Sequence, residues 1–212
     1  MVLIVFKAGG LSMNDICDSL EKSINNEAWY PALATALTLP DICGAIDQPT
    51  VHGRPRYITW FDANLSQLYS SQAGPTMDIN DPLHAHLIKA IQQFEPDATM
   101  VDGRMTTTLL SGDDCYALRC AYLHSGSDDV GVQPASKVLD RIVFTTPSKV
   151  DSTGHRNKAV YDEKHVLQLQ IDIFVMDVCN AVRAWWASKS EADKIAAESD
   201  LLKIRPLMRQ KI

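Results

Sequence analysis

No C-x-x-C pair occurs among the five cysteines, Cys17, Cys43, Cys115, Cys120 and Cys179, and their number is odd. A disulfide-stapled secreted scaffold or a cysteine-rich zinc site is therefore not expected, and the thiols read as reduced and buried. Long hydrophobic runs are also missing. Residues 1–6 are apolar but end at Lys7, too short to cross a bilayer and without the basic start of a signal peptide. The expectation is a cytoplasmic protein with no membrane contact. Glycine and proline number only ten each in 212 residues, which excludes a collagen-like or linker-dominated chain. An excess of positive charge is lacking too. Twenty basic against 26 acidic side chains give −6, the wrong sign for a protein that wraps duplex nucleic acid over most of its surface. A small local basic cleft stays compatible with that balance.

The common catalytic signatures are absent as well: no phosphate loop, no G-x-G-x-x-G, no G-x-S-x-G, no H-E-x-x-H. His84 and His86 have ligand spacing only on a strand, and on the helix expected there they point to different faces. No metal and no cofactor are implied.

What is present is a globular composition, 46% hydrophobic and 22% charged, with a mostly helical pattern. Ser12 and Asp15 form a capping-box-like start for a helix carrying Ile16, Leu20 and Ile24. Trp29, Leu33 and Leu37 continue the spacing until Pro40, which is expected to end that helix and open a short one over residues 41–46. After a loop at 47–56, Tyr57, Trp60, Phe61, Leu65, Leu68 and Tyr69 give a core-facing helix. Residues 71–81 read as a loop. Asp81 and Pro82 open the next helix, through Phe94. Residues 105–108 have strand character without a clear partner. A compact helix at 115–124 follows Gly112-Asp113-Asp114 and stops at Ser125-Gly126. Residues 141–146 and 166–171 read as two strands of one long-looped hairpin. A long helix through Trp185-Trp186, a charged helix at about 191–203 and a basic tail complete the chain.

Within this pattern one segment stands apart: Tyr116-Ala117-Leu118-Arg119-Cys120-Ala121-Tyr122-Leu123-His124-Ser125-Gly126. An arginine and a histidine flank four residues near the end of a short helix. The segment resembles the R-x4–6-H motif of the HEPN (higher eukaryotes and prokaryotes nucleotide-binding) superfamily, many of whose members are metal-independent ribonucleases. The match covers about eleven residues, and Cys120 departs from the Asn, Asp or His usual after the arginine. The resemblance implies a mainly α fold, a HEPN-like helical bundle with a small β-hairpin insertion after the motif helix. It places residues 1–12 as an N-terminal extension and 13–190 as the helical domain with a hairpin near 139–171. Residues 191–212 remain as a C-terminal helix and basic tail.

The activity implied is endonucleolytic cleavage of single-stranded RNA, as in a toxin or defence effector with a cognate inhibitor. Such cleavage needs a base for the 2′-hydroxyl, an acid for the leaving oxygen and positive charge at phosphorus. An imidazole titrating near about 6.5 serves either proton role, and a guanidinium fork offers aligned donors to phosphate oxygens. Arg119 and His124 are the candidate catalytic residues; Tyr122, Cys120 and Asp114 are candidate binding residues. Five positions put Arg119 and His124 about 140° apart on an ideal helix, so a homodimer that contributes two copies of each is expected. Two alternatives stand beside this. In one, the fold is a non-catalytic dimerisation or nucleotide- or RNA-binding module. In the other, Arg119 merely pairs with Asp113 or Asp114, and His124 caps the last helical carbonyls.

Overall fold

The computed structural model describes residues 12–73, 75–94, 98–131, 133, 139–147 and 154–201. Seven helices and two three-stranded sheets alternate along these residues. Helices α1 (Met13–Asn25), α2 (Trp29–Asp47), α3 (Arg54–Asn64), α5 (Gly112–Ser125) and α6 (Ile171–Ala187) pack into one core. Helix α4 (Pro82–Phe94) lies with the first sheet over a separate small cluster of Met77, Ile88, Ala98 and Met105. Helix α7 (Glu191–Asp200) adds Ala197 to the main core.

Local sequence explains most helix ends. Ser12 and Asp15 close a full capping box at α1, and Asp81 accepts the Leu83 N–H at 2.8 Å at the start of α4. Pro40 is a correction: α2 runs straight through it. The side chain is buried, and Leu33, Ala36, Leu37, Leu39 and Cys43 around it are buried too. That packing offsets the lost hydrogen bond, a cost of about 3 kcal/mol in an isolated helix interior. The aromatic-rich helix is indeed core-facing. Tyr57, Trp60, Phe61 and Leu65 are buried, while Leu68 lies beyond the end of α3 and is exposed.

The sheets depart further from expectation, so the fold is mainly helical with two sheets rather than a bundle with one hairpin. The first has the order β1 (Ser70–Ala73), β3 (Arg104–Thr108), β2 (Thr99–Val101), all antiparallel. It therefore takes in residues read from sequence as loop, and it gives residues 105–108 two partners. Asp102 and Gly103, both at positive φ, make the tight turn between β2 and β3. In the second sheet β4 (Arg141–Thr145) and β6 (Lys164–Gln170) are parallel neighbours, not a hairpin. The hairpin partner of β6 is β5 (Asn157–Tyr161), reached through Asp162 and Glu163, again both at positive φ.

Candidate functional site

Helix α5 carries the R-x4-H segment. Ser111 caps its start, with the Asp114 N–H donating to Ser111 Oγ at 3.0 Å and Ser111 Oγ donating back to Asp114 Oδ2 at 2.5 Å. Asp114 is 1% exposed and also receives the Leu139 N–H at 3.4 Å. Its carboxylate is thus enclosed at the helix start, where a negative charge meets the free N–H groups. At the other end Gly126 adopts a left-handed φ of 63°, and the N–H groups of Gly126 and Ser127 take the carbonyls of Tyr122 and Ala121. The backbone supplies that cap. His124, on the last turn, is exposed, and among the described residues no hydrogen bond or ion pair holds its imidazole.

Arg119 turns to the opposite flank, toward α2. Its Nη2 donates to Asp41 Oδ2 at 3.1 Å, and its guanidinium lies 5.7 Å from the centre of the Tyr116 ring. Asp41 has a second arginine. Arg56 at the start of α3 donates to Asp41 Oδ1 through Nε at 3.1 Å and Nη2 at 2.5 Å. The three side chains are 16–21% exposed. The sequence-based alternative of Arg119 pairing with Asp113 or Asp114 is therefore corrected. Asp113 is taken by Arg54, with Nε at 2.9 Å and Nη2 at 2.5 Å. Two guanidinium groups on one carboxylate leave one net positive charge. Arg119 Nε is buried and meets no acceptor among the described residues.

Cys120 is half-buried and free, and its thiol lies beside the Tyr116 phenol, which burial and then Cys120 push above the usual tyrosine range. Cys115, by contrast, is fully buried. Its Sγ is 3.3 Å from Tyr57 Oη, and burial raises the thiol to about 12, which makes it inert at neutral pH.

Tyr122 stands three positions after Arg119 on α5. Its hydroxyl donates to the Tyr30 carbonyl at 3.1 Å, and burial raises its pKa. With Trp29, Leu118, Ser125 and Phe144 it lines a cavity of about 650 Å³ between the start of α2, the end of α5 and β4. A second cavity, about 690 Å³, lies between the C-terminal half of α2 and α7 and is bordered by Asp41 and Arg56. The motif is thus divided: Arg119 joins the ion cluster near one cavity, and Tyr122 borders the other. Asp41 and Arg56 were invisible as partners from the sequence, since they stand 78 and 63 positions before Arg119 and no local spacing links them. Among the described residues no group of His, Cys, Asp and Glu is placed to hold a metal ion, and His84 and His86 lie on α4, where His84 Nδ1 instead accepts the Asp78 N–H at 3.0 Å. No helix among the described residues is long and apolar enough to cross a membrane.

Comparison of the chain with protein-family models, curated proteins and solved structures gives no match.

Proposed function

We propose that the protein is a metal-independent endoribonuclease of HEPN type, of the toxin or defence-effector kind, acting on single-stranded RNA as a homodimer. The observation that carries this reading is the contrast along α5. One end bears an unencumbered, solvent-facing imidazole, and the flank bears a guanidinium in a cluster with a net charge of +1. A phosphate near Arg119 would meet donors already held in place, which lowers the reorganisation cost of binding the developing phosphorane charge. His124 would take the 2′-hydroxyl proton or return a proton to the departing 5′-oxygen. Asp114 is enclosed at the helix start and is given no part in this chemistry; Cys120 adjoins Arg119 in the chain, and Tyr122 borders the other cavity.

The non-catalytic RNA- or nucleotide-binding module remains the second reading. It is favoured by the engagement of Arg119 with Asp41, which gives that arginine a structural task of its own. One experiment separates the two. In EDTA the purified protein is expected to cut single-stranded RNA to products with 2′,3′-cyclic phosphate or 3′-phosphate ends, and His124→Ala is expected to stop cutting without changing the melting temperature. RNA binding without cleavage would favour the module, and cleavage that persists in His124→Ala would remove His124 from the reaction.

A further inference from the structure

Cysteine chemistry supplies an inference independent of the RNA reading. Cys17 on α1 and Cys179 on α6 are 162 positions apart in sequence and face each other across the core, both fully buried. Cys17 Sγ lies 3.7 Å from the Cys179 carbonyl, and Cys179 Sγ lies 4.0 Å from the Cys17 carbonyl. The reciprocity puts the two thiols side by side at the helix crossing. Arg183 stands next to them, fixed by Asp18 at 2.7 Å and Glu21 at 2.5 Å.

We propose that Cys17 and Cys179 are a peroxide-responsive thiol pair whose oxidation bonds α1 covalently to α6. The two sulfurs divide the labour. The neighbouring Cys179 thiol holds Cys17 below its ordinary range against the opposing effect of burial, and Arg183 adds to this; the Cys17 thiol and burial raise Cys179. Cys17 is therefore the attacking thiolate and Cys179 the resolving thiol. The Cys17 sulfur displaces hydroxide from hydrogen peroxide, breaking the O–O bond and giving a sulfenic acid. The Cys179 sulfur then attacks it, the S–O bond breaks, and water leaves. The two thiols lose two electrons and two protons, and the peroxide becomes two waters. Peroxide reaches the pair through brief loosening of the α1–α6 crossing: α1 buries Met13, Cys17 and Leu20, packs Ile16 and Ile24 partly against the core, and is joined to Arg183 by partly exposed ion pairs of Asp18 and Glu21.

The other thiols lack this arrangement. Cys43 is raised by burial, Cys115 is raised and bonded to Tyr57, and Cys120 faces no second cysteine in hydrogen-bond range. The test uses the whole native chain, treated with a few equivalents of hydrogen peroxide, alkylated, digested and mapped by mass spectrometry. A Cys17–Cys179 cross-linked peptide is expected. The melting temperature should rise by roughly 5–10 °C over the reduced protein and return on adding dithiothreitol, because the bond closes most of the chain into a loop. Cys17→Ser and Cys179→Ser should each lose the link and the rise. Mapping of the wild-type chain decides the matter even if either variant folds poorly. A Cys17–Cys43 link, or oxidation at Cys120 with Cys17 and Cys179 still alkylatable after denaturation, would overturn the proposal.

Discussion

Arg119 and Asp41 meet at 3.1 Å across the α2–α5 interface, and Arg56 occupies the other oxygen of the same carboxylate. Asp41 is thus the one negative charge between two half-buried cations. Asp41→Ala leaves both guanidinium groups facing each other without compensation. A loss of about 2–4 kcal/mol is expected, somewhat below the range for fully buried pairs because the three side chains keep some water contact. Arg119→Ala should cost less, since Asp41 keeps Arg56. Urea unfolding of both variants checks the order; a smaller loss for Asp41→Ala than for Arg119→Ala would show that the cluster is not arranged around the carboxylate.

Gly44 sets the approach of α2 to α3 beneath that cluster. A Cβ there would stand 2.8 Å from Arg56 Cγ and 3.0 Å from the Arg56 carbonyl oxygen, closer than packed atoms allow. Gly44→Ala gains helix propensity of about 1 kcal/mol but must push Arg56 from Asp41. The expected net result is destabilisation by about 1–3 kcal/mol. A variant as stable as the parent would mean that the helices can separate without strain.

His155 gives the stability a pH dependence. Its Nδ1 accepts the Gln170 N–H at 3.1 Å, which places the ring proton on Nε2, 3.6 Å from Asp177 Oδ2, and Tyr69 Oη donates to that same oxygen at 3.0 Å. Burial holds the imidazole below its usual range, against the pull of Asp177. The unfolded chain therefore binds the proton first. The contribution of neutral His155 is complete above the unfolded value of about 6.5 and is lost as pH falls through the lower folded value. Melting temperatures should be level from pH 8 to 7 and decline below about 6.5. In His155→Gln, whose amide can accept from Gln170 and donate to Asp177, the decline over pH 6.5–5.5 should flatten. An identical slope in parent and variant would remove His155 as its source.

Complementation tests the proposed two-chain site. Arg119→Ala and His124→Ala chains, each inactive alone, should recover part of the cleavage when mixed, since an isologous dimer places an intact arginine near an intact histidine of the other chain. Sedimentation of the parent at the assay concentration checks the same point. Full activity from a monomer would exclude a site built from two chains.

The sequence alone determined what is settled within one helical turn or one tight turn. Ser12 with Asp15, Asp81 before Pro82 and Gly126 after α5 mark real helix ends, because caps join groups three or four residues apart. The Asp102-Gly103 turn belongs to the same class; its Asp-Gly signal was there to be read, and it would have located β2 and β3. Only tertiary structure decided the rest. Pro40 stays inside α2 because neighbouring buried side chains offset its missing N–H, a compensation no local window contains. Strands β4 and β6 alternate as hairpin strands would, yet pair in parallel with β5 completing the sheet, since alternation reports which face is buried and not which neighbour bonds. Arg119 likewise announced a charge but not its partner. Asp113 and Asp114 were near in sequence, but Arg54 and the helix cap hold them, and Asp41 meets Arg119 only because α2 and α5 pack together. Charge pairing acts over a few ångströms of space, and the fold alone brings distant positions within that range.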